Sequence, residues 1–388
     1  MMRQRTRDGK IKGAASRAFL LTILPTFLAV FAAPAAPVAA AAYVNPLKGD
    51  LDVHDPVLIK EAGTYYIFWT GDRIPMKSSA DRVDWKDLGP ALDGSPAWLD
   101  KEVPGRKDIW APDVHFGNGL YWMYYAVSIF ETPNSAIGLM TSPTLRKGAP
   151  GYLWQDRGMV IKSDTKSDFN AIDADAFTDQ EGKSWLAFGS FWSGIKLMAL
   201  NPETGLAMED PPVLIPLAYH ASGIEGSYLW YHGGYYYLFV SYDRCCRGAA
   251  SDYKIAVGRA AKITGPYSDD HGKPMLQGAG MLLDTGDARW KGPGHCAVFL
   301  DHDTTFLVNH AYDAQNNGKA TLMIRPMFWT AAGWPTLNPA EAGDVRTGIG
   351  KAAPGKVRSR ASWSGGVERV VFNRGGQTRD LKGSALDR

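Results

Sequence analysis

The chain has 388 residues, with 42 Lys and Arg against 40 Asp and Glu, a formal net charge of +2, and three cysteines. The positive charge gathers at the ends: residues 1–42 carry +5 and residues 351–388 carry +6, so the body between them is near −9. An acidic body excludes nucleic acid and anionic membrane as partners, since both require a basic face, and three cysteines are too few for a disulfide framework, so stability must come from a buried core.

Residues 1–42 read as an export signal. Arg3, Arg5, Arg7, Lys10, Lys12 and Arg17 form a basic start, Phe19 to Phe31 is an apolar run, and Ala36 to Ala42 is rich in small residues of the kind found at a cleavage site. The apolar run is shorter than the ~20 residues a membrane-spanning helix needs. The sequence therefore predicts a secreted protein, extracellular or periplasmic, with no membrane contact after cleavage.

From Tyr43 onward short apolar and aromatic runs alternate with glycine-containing turns, which predicts an all-β chain. One unit recurs. His54 to Gly71 has an acid and a proline ahead of a strand, then a glycine turn, then an aromatic strand. The plan returns at Trp110–Ser128, Ile172–Phe191, Ile224–Tyr242 and Gly292–Tyr312, with further strands expected between the copies at Ala136–Thr141, Ile195–Leu200, Ile255–Ala260 and Thr321–Met327. Five such units at a spacing of roughly 50 to 70 residues predict a five-bladed β-propeller over residues 43–342 with its site at the central channel. A β-sandwich also has regular short strands, but it would not repeat a polar residue at the mouth of every hairpin. Residues 343–388, rich in Gly, Ser and Arg, read as a basic, flexible extension.

The polar residues heading the units are Asp55, Asp113, Asp173 with Asp175, Glu225 and His295. In a propeller the first strand of each blade lines the axis, so these heads are expected to converge at one end. Clustered carboxylates repel and raise one another's pKa, so they point to function. Two chemistries use them: coordination of a hard cation such as Ca2+, and glycoside hydrolysis by a base carboxylate and an acid carboxyl. Trp110, Phe130, Phe191 and Trp192 each read alone as packed core aromatics, but their placement near the heads or in the loops after them points to faces on which sugar rings stack. His295 on its own reads equally as a packed core residue or a ligand.

His54-Asp55-Pro56, Trp110 to Val114, Asn170 to Asp173, Gly189 to Gly194, Ile224-Glu225-Gly226, Cys245 to Gly248 and Gly292 to His295, in this order, resemble family 43 glycoside hydrolases and, as a set, their endo-α-1,5-L-arabinanase branch. The resemblance covers about Asn45 to Leu337. It implies a five-bladed propeller that hydrolyses arabinan with inversion at the anomeric carbon. It implies Asp55 as the base that activates water, Glu225 as the acid, and Asp173 as the residue that tunes and orients Glu225. Asn170, Ser190, Phe191, Trp192, Trp110 and Phe130 match positions expected to line the sugar groove. His295 matches a histidine beneath the site where a cation, Ca2+, sits largely hydrated in the channel; no organic cofactor is implied.

Asp113 has no acid or base role in the resemblance and is expected to brace a strand or loop. Asp175, two residues beyond Asp173, would share its face in a regular strand and so compete for its role. The three cysteines are expected to pack as buried small hydrophobes, with a bridge between Cys245 and Cys246, or from either to Cys296, as the alternative. An exo-acting arabinofuranosidase or β-xylosidase and a non-catalytic carbohydrate-binding propeller are the other functional readings. Nothing in the sequence requires more than a monomer.

Overall fold

A computed structural model of the chain describes residues 45–343. The leader 1–42 and, beyond its first residue, the extension 343–388 lie outside the described residues. Twenty strands form five four-stranded antiparallel sheets, each built from consecutive strands. Blade one is β1 (Val57–Glu61), β2 (Thr64–Phe68), β3 (Pro75–Ser79) and β4 (Lys86–Pro90); blade two is β5 (Trp110–Gly117), β6 (Leu120–Ser128), β7 (Ser135–Ser142) and β8 (Gln155–Ser163). Blade three comprises β9 (Asp175–Thr178), β10 (Ser184–Phe188), β11 (Ile195–Leu200) and β12 (Ile215–Ala218), and blade four β13 (Ile224–His232), β14 (Tyr235–Tyr242), β15 (Lys254–Ala260) and β16 (Met281–Asp284). Blade five is β17 (Trp290–Asp301), β18 (Thr304–Asp313), β19 (Lys319–Trp329) and the two-residue β20 (Pro335–Thr336). The first strands of neighbouring blades touch one another around the ring, and β17 meets β1. The structure is the five-bladed β-propeller that the repeat predicts.

Local chemistry sets the hairpins. Glu61 pairs with Thr64 across Ala62 and Gly63, whose φ angles of 45° and 84° are those of a tight hairpin turn matching the twist of its strands. The second strands carry the aromatic load: Tyr121, Tyr124, Tyr125, Tyr237 and Phe239 are all but fully buried between blades. Ring closure uses both ends of the described chain. β20 pairs only with Phe328 and Trp329, and the vacant half of β19 is completed by the residues before blade one: Asp52 bridges Thr321, and the Leu322 N–H donates to Leu51 O at 2.9 Å.

Apolar packing between blades is non-directional, and polar bonds register each seam. Glu61 accepts from Thr144 Oγ1 (2.8 Å) and Leu145 N (2.7 Å) between blades one and two. Asp113 Oδ2 accepts from Ala176 N (3.0 Å) between two and three, and Asp175 Oδ2 from Leu229 N (2.7 Å) between three and four. Tyr228 donates to Val298 O (3.2 Å) between four and five; Tyr65 (2.7 Å) and Lys60 (2.9 Å) donate to Asp301 between five and one. Asp113 thus braces a blade.

Asp175 does not compete with Asp173. The expected shared face presumes extended backbone through both residues, but Asp173 has φ of 59° and β9 begins only at Asp175, so their side chains part. Replacing Asp175 removes the buried acceptor that takes the Leu229 N–H across this seam. Asp175→Ala should therefore cost about 1–3 kcal/mol, measured as a lowered urea midpoint of the purified protein.

Candidate active site

One end of the channel is set by backbone that departs from regular strand. Asp55 precedes β1 with φ of 53°, Asp173 precedes β9 with φ of 59°, and His295 stands in a double irregularity of β17 with φ of 46°. Glu225 lies near the start of β13, where the register slips before Tyr228. Bulges and left-handed residues turn a side chain out of the strand's alternation and cluster at functional sites. Here they swing four side chains from blades one, three, four and five into one mouth.

Asp55 is the best-held of them. Its Oδ2 accepts from Thr70 Oγ1 at 2.6 Å and lies 2.9 Å from His54 Nδ1; its Oδ1 lies 3.3 Å from His295 Nδ1 and 3.6 Å from His310 Nδ1. Thr70 Oγ1 in turn accepts from Ala111 N at 2.8 Å, tying the carboxylate to blade two. His310 Nδ1 accepts from Asp55 N at 3.1 Å, which places its proton on Nε2. Burial alone would raise the Asp55 pKa, but the His54 imidazole beside it, aided by His295, outweighs burial and holds the carboxyl far below the usual carboxylate range. For its part His54 loses basicity to burial and regains more from Asp55, so its pKa is raised.

The other two carboxyls are tuned the opposite way. Burial raises the Glu225 pKa, and the negative charge of Asp55 adds to it, against the hydrogen bonds donated by Ser190 Oγ (2.7 Å, to Oε2) and Tyr253 OH (2.8 Å, to Oε1). Asp173 is raised well above its ordinary value by burial and then by the charges of Glu225 and Asp55; its Oδ2 accepts from Gly226 N at 3.0 Å and lies 3.9 Å from His295 Nδ1. Tyr253 reaches Glu225 because residue 294 is glycine: any Cβ there would collide with the Tyr253 ring. The mouth therefore holds one carboxyl whose pKa is pushed down and two whose pKa values are pushed up, the opposite tuning that a base and an acid require.

The remaining expected residues divide. Phe130 (62% exposed) and Trp192 (40% exposed) stand on loops at the rim; Phe191 is half-buried beneath the Arg244 guanidinium, 5.6 Å from its ring centroid, and Trp110 is half-buried against the core. Asn170 and Ser190 lie below the surface. Asn170 Oδ1 accepts from Ser135 Oγ at 2.6 Å, and the Ser190 hydroxyl is engaged with Glu225. The reading of strand heads missed His54, Thr70, Tyr253, His310 and Tyr312. Of these only His54, adjacent to Asp55, carried a sequence signal; the others sit on second strands or connecting loops, where no repeat marks them.

His295 offers a single imidazole, its Nδ1 3.3 Å from Asp55 Oδ1 and 3.9 Å from Asp173 Oδ2. Among the described residues, the close sets of metal-ligating side chains are His54–Asp55–His310 and His54–Cys245–Cys246, and neither includes His295. Cys245 and Cys246 are joined in a disulfide, contrary to the expectation of three buried thiols, while Cys296 is buried and free. The pair stands on a mouth loop with Cys246 exposed, outside any core that would bury it.

Residues 43–335 match the family model of glycosyl hydrolases family 43. The extracellular endo-α-(1→5)-L-arabinanase 1 of Bacillus subtilis (strain 168) is 42% identical over 292 residues, 73% of this chain and 87% of the relative. Among solved structures, the family 43 endo-arabinanase from Bacillus licheniformis superposes with a TM-score of 0.70 at 42% identity, covering 76% of this chain and all of that one. An exo-1,5-α-L-arabinanase from a bovine ruminal metagenomic library gives 0.72 at 40% identity, covering 74% and 97%. With the family model spanning most of its length and the paired carboxyls in place at the mouth, the chain belongs to glycosyl hydrolases family 43.

Proposed function

We propose that this chain is a secreted, inverting endo-hydrolase that cuts internal α-1,5-L-arabinofuranosidic bonds of arabinan. The observation that carries the reading is the opposite tuning of Asp55 and Glu225 in one mouth. Asp55, ionised, takes a proton from water as its oxygen bonds to the anomeric carbon. Glu225, protonated, delivers its proton to the departing glycosidic oxygen as that bond breaks. One carboxyl gains a proton and the other loses one, and exchange with solvent restores both.

Asp173 acts through Glu225. It grips the N–H of the next residue, Gly226, and its own negative charge, whenever present, opposes ionisation of Glu225. All of these groups belong to one chain, so a monomer suffices. The names of the relatives support arabinan as substrate and an extracellular location. That an exo-arabinanase also resembles the chain favours, as second reading, an exo-acting enzyme on the same fold. A binding propeller without catalysis has no use for an acid and a base tuned apart.

Linear arabinan decides among these. The endo reading expects early oligosaccharides of mixed length and the β-anomer as first product by NMR; release of monosaccharide alone at early times supports the exo reading. Turnover undiminished in Asp55→Ala would refute the mechanism.

The pH profile follows from the two carboxyls. Activity requires Glu225 protonated, so it is lost as pH rises through that group's raised pKa; Asp55 stays ionised far into acid and sets no limb near neutrality. Tyr253 donates to Glu225 and so favours its ionised form. Tyr253→Phe should move the alkaline limb of kcat/KM to higher pH, with kcat/KM falling about tenfold from the lost hydrogen bond.

Ca2+ belongs to the same reading: His295 would hold it, and when bound it would supply positive charge to the acidic mouth. Calorimetric titration of EDTA-treated protein should show a Ca2+ site that His295→Ala abolishes.

A further inference from the structure

We propose that the Cys245–Cys246 disulfide is a substrate plate: an apolar wall of the sugar groove beside Asp55, against which a pentofuranose ring packs. The inference rests on the function proposed above and adds a binding element to it.

The disulfide's place follows from the sheet. Ile224 pairs with Tyr242 and Tyr242 with Lys254, so the connection from Asp243 to Tyr253 leaves and re-enters blade four at the same end as Glu225. This connection crosses the mouth. Arg244 lies over Phe191 of blade three, Tyr253 donates to Glu225, and the Cys246 N–H donates to Tyr312 OH of blade five at 2.8 Å. Tyr312 OH is 2.8 Å from His54 Nε2, and His54 Nδ1 is 2.9 Å from Asp55 Oδ2. Cys246 Sγ itself stands 3.8 Å from His54 Nε2.

Two features mark the bridge as more than a clip. First, Cys246 has φ of 64°, the left-handed conformation also held at the mouth by Asp55, Asp173, Phe191, Trp192 and His295. Outside tight turns such as that at Ala62, non-glycine residues in this conformation tend to gather at functional sites. Second, the bridge is presented to solvent: Cys246 is exposed and Cys245 half-buried. Oxidation has removed both S–H donors and left two polarizable sulfurs, which offer dispersion and no competing hydrogen bond. A furanose ring has a carbon-and-hydrogen face suited to such a surface. The backbone N–H meanwhile fixes the plate relative to the Tyr312–His54–Asp55 chain, so a ring resting on it would lie in register with the base.

Substitution to serine keeps the backbone N–H and removes the plate. The Cys245→Ser/Cys246→Ser protein should raise KM for linear arabino-oligosaccharides about fivefold or more while kcat stays within about twofold, the mark of lost uniform binding. Unchanged KM, or a loss confined to kcat or to thermal stability, overturns the plate.

A second measurement needs no cysteine variant. In the Glu225→Gln protein, which retains the bridge, a saturating linear arabino-oligosaccharide should slow opening of the disulfide by a water-soluble phosphine at least about threefold, as steric cover of an exchanging sulfur requires. The two thiols formed are counted by alkylation and mass spectrometry, with maltose as the control. Equal rates with and without arabino-oligosaccharide overturn the proposal. Wild-type protein inactive on every arabino-oligosaccharide would instead overturn the proposed function itself, whereas turnover with an unchanged KM in the double variant overturns the plate alone.

Discussion

Three carboxyls in one buried mouth cannot all be charged, and the chemistry of this protein follows from how that conflict is resolved. The negative charge is fixed on Asp55 because that residue has the partners: Thr70, His54 and His295 converge on its two oxygens. Once Asp55 is ionised, its charge adds to burial in pushing protons onto Asp173 and Glu225. Tuning of the acid is therefore partly a consequence of tuning the base. The groups that hold Asp55 charged thereby raise the pKa of a glutamate that none of them hydrogen-bonds, with His54 itself pulling directly the other way.

The propeller separates this electrostatic work from the work of holding blades together. Asp173 and Asp175 show how finely. One has a left-handed backbone and aims its carboxyl at the Gly226 N–H in the mouth; the other is extended and aims its own at Leu229 N in the seam between the same two blades. Both grip blade four, a few residues apart. The first places a carboxyl beside Glu225, the second fixes the register of the strand that bears Glu225. Blade four is thus positioned twice by blade three, and the acid inherits that rigidity.

Most of the fold was legible in the sequence because period and turn chemistry are local: an aromatic hairpin headed by a polar residue leaves its mark wherever it recurs. The heads were legible for the same reason, and four of them do meet. What was not legible depends on backbone that breaks the pattern. The alternation argument for Asp175 assumed a strand through residue 173, and a single positive φ removes it. Tyr253, Thr70, His310 and Tyr312 reach the site from loops and second strands, where sequence position carries no trace of proximity. The disulfide was hidden too, since adjacent cysteines read the same whether packed as thiols or bridged.

The residues at the mouth differ in how firmly they are held. Asp55, Asp173 and Glu225 are each gripped by a hydrogen-bond partner from another segment, whereas Phe130 and Trp192 stand exposed on loops. The loops bearing Thr70, Ser190 and Tyr253 touch the carboxyls directly, so a change in those loops reaches the pKa values as well as the shape of the mouth. An endo- and an exo-acting arabinanase superpose on this chain with nearly equal TM-scores, so the shared fold does not by itself select between the middle and the end of a polymer.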